Sequence, residues 1–303
     1  LNIIKTKTLM KHNLKVTLIL LFLFLASNVV GLYVTQHYLP EAQEIELAPG
    51  IIFEKPQMDE QTSFFPIFIA ILVATGLALF LIKFNAMRLW KVWFFISVVF
   101  TLSISFGAFI PSIFAFVLAI VLAIFKVIRP NVYVHNITEI FIYGALAAIF
   151  VPILNVFSVS ILLVLISIYD MIAVWRTKHM ISMAKFQTKS KMFTGLLIPY
   201  NVPAQKPISK GKLTQKTIPK SKLVKVQISE AILGGGDIAF PLLFSGVILK
   251  LYGFLPALVI SFFAALALFF LFVFAEKKKF YPAMPFVSAG CLLGYLVLKL
   301  FFI

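Results

Sequence analysis

Charged side chains are scarce in this chain of 303 residues, and cysteine is nearly absent. Asp, Glu, Lys and Arg make up 13% of the sequence and hydrophobic residues 61%, with a mean hydropathy of +1.03. A soluble globular protein of this length would need helices that are apolar on every face, so the composition excludes that class. The single cysteine, Cys291, lies in an apolar run, which excludes an intrachain disulfide and a thiolate metal site.

The motifs of several hydrolase classes are also missing. No H-E-x-x-H motif occurs, which is against a zinc-dependent intramembrane protease, and we predict no metal and no other cofactor. No G-x-S-x-G motif occurs and no histidine lies deep in an apolar run, which is against a serine enzyme. The three glycines 234–236 are not followed by the Lys and Ser or Thr of a phosphate-binding loop. The four histidines are His12, His37, His135 and His179.

Apolar runs of ~18 or more residues, the length that crosses a bilayer, recur along the whole chain. They predict an all-α polytopic membrane protein with nine spans, whose third and fourth spans meet at Pro111 and whose fifth and sixth meet at Asn155. The first run has features of a signal peptide, but it continues to Leu32, so we expect a retained helix. The predicted spans are 16–34, 64–82, 92–109, 111–127, 138–154, 157–175, 231–250, 254–274 and 284–302.

The basic residues predict the orientation of these spans. With the N-terminus in the cytoplasm, 24 of the 27 Lys and Arg residues fall in cytoplasmic segments, as the positive-inside rule requires. The exceptions are Lys55, Lys250 and Lys299. An odd number of spans then puts the C-terminus outside. Because the net charge of +16 is concentrated in connectors between apolar runs, we predict contact with the lipid bilayer and no binding of nucleic acid.

One long basic segment divides the chain. We divide the sequence into a six-span part (1–175), a cytoplasmic segment (176–230) and a three-span part (231–303). The middle segment is too polar and too rich in proline to bury a core, so we expect much of it to be mobile. We interpret it as a solvated linker near anionic headgroups, with a gate or substrate-docking strand as the alternative.

Two aspartates interrupt the apolar runs, Asp170 in LLVLISIYDMIAVW and Asp237 in ILGGGDIAFPLLF. A carboxylate in hydrocarbon is costly, so an intramembrane acid indicates a functional site. Each lies roughly 8 Å from the cytoplasmic end of its span at 1.5 Å per residue, so the two acids can lie at one level. One ionised and one protonated carboxyl is the arrangement that aspartic proteases use.

The glycines before Asp237 leave several interpretations open. They weaken the start of a helix, so an open backbone edge beside the acid could receive an extended peptide strand. Alternatively, they allow tight helix packing while the aspartates hydrogen-bond across spans. A third interpretation is a cation or proton transporter with a carboxylate pair at its ion site, although no persuasive inverted repeat is present.

Three short motifs occur in order in the predicted sixth, seventh and ninth spans. Tyr169–Asp170 resembles the Y-D motif of presenilins and signal peptide peptidases, and Gly234–Asp237 matches their G-x-G-D motif. Tyr281–Pro285 resembles their P-A-L motif, with methionine in place of leucine. The resemblance covers essentially the whole chain and is closest to the compact microbial, especially archaeal, homologues. Prepilin and preflagellin peptidases also use G-x-G-D, but they are typically smaller and lack the proline motif.

The resemblance implies an intramembrane aspartyl protease in a microbial cell membrane, with Asp170 and Asp237 as the catalytic pair. Its substrates would be transmembrane helices with their N-terminus outside, or remnant signal peptides. It implies no obligatory partner subunit, and the oligomeric state is left open. The expected active-site loop residues are Tyr169, Gly234, Gly235 and Gly236, and those expected to position substrate are Pro282, Ala283, Met284 and Pro285.

Overall fold

The computed structural model describes residues 14–39, 44–177, 183, 186–187, 192–203, 226–275 and 281–301. In this part of the chain there are nine α-helices and two β-hairpins. The helices are α1 (Leu14–Tyr38), α2 (Phe64–Lys83), α3 (Met87–Gly107), α4 (Ser112–Ile128), α5 (Val132–Phe150), α6 (Val156–Met171), α7 (Gly236–Tyr252), α8 (Phe254–Phe274) and α9 (Met284–Phe301).

Each of these helices corresponds to one predicted span. Seven of them, all except α4 and α7, are long and apolar enough to cross a membrane, and α6 reaches that length with the π-helical residues Ile172–Arg176 that continue it. Helices α4 and α7 have 17 residues each. The all-α membrane architecture predicted from composition is thereby confirmed, whereas the number of spans and the orientation stay predictions. Pro111 precedes α4 and Asn155 caps α6, where its Oδ1 accepts from the N–H of Ser158 at 2.8 Å.

The outer surface of the bundle is apolar. Phe22, Phe114 and Leu255 expose 69%, 66% and 76% of their surface. Apolar patches of this extent are rare on monomeric proteins in water, whereas lipid tails cover them at no cost. The exposed surface therefore fits the membrane location that the hydropathy predicts.

Two β-hairpins connect consecutive helices of the bundle. Strands β1 (Glu44–Ala48) and β2 (Ile51–Glu54) pair antiparallel between α1 and α2. Strands β3 (Gly195–Pro203) and β4 (Val226–Gly234) pair antiparallel between α6 and α7, with Gly195 opposite Gly234.

The second hairpin corrects two predictions made from the sequence. The seventh helix begins at Gly236, not at residue 231, because Val226–Gly234 is a strand. In addition, the segment 176–230, expected to be largely mobile, contains strand residues in its interior, at Gly195–Pro203, and at its C-terminal end, from Val226 onward. The stretch VQIS alternates apolar and polar residues as strands do, and the glycines that follow separate the strand from the helix. The lysine-rich residues 204–225 lie outside the described part of the chain.

Helix α7 is the centre of the bundle. From Pro241 to Leu249 all of its residues are buried, and α1, α5, α6, α8 and α9 pack around it. Polar contacts fix its neighbours, because the Ser261 hydroxyl of α8 donates to Ser245 of α7 at 3.0 Å and Asn28 of α1 lies 3.3 Å from the same hydroxyl. Such interhelical hydrogen bonds stabilise helix association where no water competes. The helix that carries Asp237 is therefore held from all sides.

Candidate active site

Asp170 lies at the C-terminal end of α6 and is only 5% exposed. Its Oδ2 accepts a hydrogen bond from the backbone N–H of Met284 at 3.1 Å, and the backbone N–H of Ala283 also donates to this carboxyl. The first N–H groups of a helix have no partner within the helix, so a carboxylate beside the start of α9 satisfies them. The proline motif thus contacts the first acid through its backbone.

Asp237 is the second residue of α7 and is half-buried. The backbone N–H of Gly234, the last residue of β4, donates to its carboxyl. A Cβ atom on Gly234 would lie 3.2 Å from Asp237 Oδ2, closer than most real Cβ contacts, so glycine gives the carboxyl room to sit against the end of the strand. The strand and the second acid are therefore connected directly.

The two acids come together at one end of the bundle. Helices α6, α7 and α9 pack against one another in pairs, and the carboxyls of Asp170 and Asp237 lie within electrostatic range of each other. One turn before Asp170, the hydroxyl of Ser167 donates to that of Ser288 at 2.9 Å, and both serines are buried. This bond fixes α9 against α6 beside the first acid.

The remaining residues predicted for the site surround this pair. Tyr169 is half-buried next to Asp170. Gly236 is exposed, and a Cβ atom at this position would lie in ordinary van der Waals contact with the ring of Phe240. A Cβ on Gly235 would lie 2.8 Å from the hydroxyl oxygen of Tyr143 on α5. In the proline motif, Pro282 and Met284 are buried, whereas Tyr281, Ala283 and Pro285 are half-buried.

Sequence reasoning missed a buried polar group on α4 and α5. Lys126 is one of the 24 basic residues predicted to be cytoplasmic, yet it is 3% exposed and its Nζ lies 2.6 Å from Oε1 of Glu139, which is 1% exposed. The signal was present, because Glu139 falls inside the predicted fifth span, where an acid is as costly as Asp170. Among the described residues, no group of three or more His, Cys, Asp or Glu side chains could hold a metal ion.

A polytopic helical bundle with two aspartates within electrostatic range of each other at one end defines a membrane protein with a candidate carboxylate-pair site. The chain belongs to the signal-peptide peptidase and presenilin aspartyl protease family, because the sequence model of that family matches residues 22–303. It is therefore an intramembrane aspartyl protease, as the three motifs predicted, and neither the transporter nor the prepilin peptidase alternative is favoured.

Solved structures agree with this assignment at the level of the fold. A presenilin family intramembrane aspartate protease in the C222 space group is 19% identical with a TM-score of 0.60, covering 93% of this chain and 97% of that one. A presenilin family protease structure in the P2 space group is 20% identical with a TM-score of 0.58, covering 92% of this chain and 95% of that one. No curated protein matches the sequence.

Proposed function

We propose that Asp170 and Asp237 are the catalytic pair with which this chain hydrolyses peptide bonds inside transmembrane segments. The observation that supports this most strongly is their approach to within electrostatic range although they come from separate helices, 67 positions apart in the sequence. Two carboxylates at close range in a medium of low dielectric cannot both ionise comfortably, so they share one proton. That protonation state is the one that aspartyl proteolysis needs.

The reaction follows from this shared proton. The ionised carboxyl takes a proton from a water molecule, whose oxygen attacks the scissile carbonyl carbon while the protonated carboxyl donates to the carbonyl oxygen. Breakdown of the tetrahedral intermediate transfers a proton to the leaving nitrogen and breaks the C–N bond. The backbone N–H groups of Ala283 and Met284 orient Asp170 for this exchange.

The hairpin beside Asp237 offers an edge for an extended substrate. In β3, the N–H groups of Gly195 and Leu197 donate to side chains of α5, so they are directed away from β4. Gly234 and Ile232 lie opposite Gly195 and Leu197 in the antiparallel pair. Their backbone N–H and C=O groups therefore point away from β3, to the outer edge of β4. Among the described residues no further strand pairs with that edge. We propose that the unwound segment of the substrate pairs there, which replaces the hydrogen bonds it loses as a helix.

The substrates that we propose are single-span membrane proteins with their N-terminus outside, and remnant signal peptides. The polarity of the single-span substrates is inferred by analogy with the family, given the predicted cytoplasmic N-terminus of this chain. We propose further that the chain needs no obligatory partner subunit. Cleavage by the purified chain alone tests this last point directly.

The test uses the fact that the sequence holds only three aspartates, Asp59, Asp170 and Asp237. Purified protein is reconstituted in liposomes with a labelled single-span peptide, and the products are separated and counted. Asp170→Ala and Asp237→Ala each abolish cleavage, whereas Asp59→Ala, in an exposed loop, keeps it. Cleavage at the wild-type rate in either of the first two variants would make the proposal wrong. An ion flux lost in those variants without any proteolysis would support the transporter instead.

A further inference from the structure

The ion pair between α4 and α5 is buried where charge is expensive. Lys126 and Glu139 are 3% and 1% exposed, and Nζ of Lys126 also donates to the Thr138 hydroxyl at 2.8 Å. Taking two charges out of water costs several kcal/mol for each ion, and their attraction offsets this only with good geometry and further hydrogen bonds. Apolar residues would pack the same space at lower cost, so the pair indicates a role beyond filling the core.

The second carboxylate oxygen of Glu139 connects α5 to the hairpin. The hydroxyl of Tyr143 donates to Oε2, and the backbone N–H of Gly195, the first residue of β3, donates to the same oxygen at 2.9 Å. Nε2 of His135 donates to the carbonyl oxygen of Gly195 at 2.7 Å. Both backbone groups of Gly195 are thus held by side chains of α5.

Two residues further along β3, Asn136 makes the equivalent pair of bonds. Its Oδ1 accepts from the N–H of Leu197 at 3.0 Å and its Nδ2 donates to the carbonyl oxygen of Leu197 at 2.8 Å. A neighbouring strand would bond these same groups, so α5 takes the place of a third strand. The position of β3 along its own axis is therefore fixed relative to α5.

Tyr143 continues the connection to the second aspartate. Its hydroxyl lies within electrostatic range of the Asp237 carboxyl, and a Cβ on Gly235 would lie only 2.8 Å from its oxygen. Gly195 has a φ of +132°, which favours glycine, and a Cβ there would lie 3.0 Å from the backbone nitrogen of Gly235. The carboxylate of Glu139 therefore contacts both Tyr143 and strand β3, which lie on either side of the glycine turn before Asp237.

We propose that Lys126, Glu139 and Tyr143 form a positioning cluster, which holds the β3–β4 hairpin and the glycine turn against α5 and so determines which substrate bond reaches the aspartates. The inference rests on the proposed function, since it assumes that a substrate strand pairs with β4. A strand advances about 3.3 Å per residue, so a hairpin that slides by that distance presents a neighbouring peptide bond. The three residues act through the hairpin and through Asp237, not on the reacting atoms.

The experiment compares Glu139→Gln with the wild type in the liposome assay. Glutamine has one acceptor oxygen in place of two, so it cannot serve Lys126, Tyr143 and Gly195 together. We expect kcat to fall on the order of 10- to 100-fold, as misplacement of about 1 Å does, with a smaller change in KM. We also expect mass spectrometry to find products cut at bonds next to the wild-type bond. Tyr143→Phe, which keeps the ring but not the hydroxyl, gives the same displaced products with a smaller loss of rate.

The matched control is Glu60→Gln. Glu60 forms another, more exposed ion pair, 2.7 Å from Nζ of Lys250 at the opposite end of α7, so its removal breaks a charged contact far from the hairpin. This variant keeps the wild-type rate and the wild-type products. Thermal unfolding in detergent is measured for every variant, because a merely structural role lowers the folded fraction without moving the cut.

Where Glu139→Gln does not fold, the double variant Lys126→Met/Glu139→Gln removes the unpaired charge, and Tyr143→Phe leaves the ion pair intact. Wild-type products at the wild-type rate in Tyr143→Phe and in the folded Glu139 variant would overturn the inference. So would a loss of rate that only follows the folded fraction while the products stay unchanged. Failure of the proposed function is distinct from this, because then the aspartate variants retain cleavage or the wild type has none.

Discussion

At the scale of single residues, the proline motif contributes backbone atoms to Asp170. The described donors to this carboxyl are the N–H groups of Ala283 and Met284, at the start of α9. The residue at either position can therefore be replaced without loss of a donor, provided that the new residue has a backbone N–H group. The methionine that replaces the leucine of the family motif leaves these hydrogen bonds in place.

This arrangement predicts opposite outcomes for two substitutions in the motif. Met284→Leu conserves volume and keeps the backbone donor, so cleavage stays within about twofold of the wild type. Ala283→Pro removes one N–H donor from a buried carboxyl, a loss of about 1–3 kcal/mol and thus roughly 10- to 100-fold in kcat. Both are measured in the liposome assay, with thermal unfolding as the check on folding. Wild-type kcat in Ala283→Pro would show that this donor is unimportant.

At the scale of helices and strands, the sequence predicted some boundaries well and others poorly. The predicted spans 254–274 and 284–302 agree with α8 and α9 almost to the residue, because Gly253 precedes the first apolar run, Glu276 follows it, and the proline motif precedes the second run. The start of α5 was predicted at residue 138 but lies at Val132. The polar residues of its first turns have partners in β3, about 60 positions away, which no local pattern contains.

The residues of the candidate site likewise fall into those that the sequence predicts and those that it does not. Asp170, Asp237 and the glycines could be found because acids in apolar runs and short motifs are visible locally, although their catalytic roles stay predictions. Lys126 and Glu139 were visible as charges, but their significance depends on the contact of Glu139 with Gly195, 56 positions further along. A single sequence does not contain the distances between elements that turn isolated charges into a cluster.

The outer edge of β4 carries a prediction at this scale. Ile232→Pro removes the N–H that the register directs to that edge, whereas Ile232→Ala removes only an exposed side chain and keeps the N–H. We expect the proline variant to raise KM by roughly fivefold, since one lost hydrogen bond is worth about 1 kcal/mol, and the alanine variant to bind substrate normally. The measurement is the dependence of the cleavage rate on peptide concentration. Equal KM values in the two variants would exclude pairing of the substrate at this position.

At the scale of the whole molecule, the burial pattern places Asp237, one of the two proposed catalytic acids, at the end of a central, enclosed helix. Residues of α7 from Pro241 to Leu249 are covered by neighbouring helices, and only its first turn, with Asp237, is partly exposed. If the two aspartates are the catalytic pair, as proposed, a substrate meets them at the end of the bundle where β4 ends, not along the side of α7.

The predicted orientation is tested by labelling single cysteines in intact cells. In a Cys291→Ala background, Asp59→Cys lies outside and Arg129→Cys lies in the cytoplasm, and both positions are exposed. A maleimide that does not cross the membrane labels the first variant in intact cells and the second only after the membrane is opened. The reverse pattern would invert the predicted topology and, with it, the polarity of the proposed substrates.

The predicted shallow position of Asp170, together with its proposed catalytic role, has a consequence for the fate of the products. Arg176 lies only six positions after Asp170, about 9 Å at the rise of an α-helix, whereas the hydrocarbon layer is about 30 Å thick. A cut at that depth is asymmetric. The shorter fragment keeps too few apolar residues to stay anchored and diffuses into the water on that side, while the longer stub retains most of the original membrane anchor and remains for other enzymes to remove.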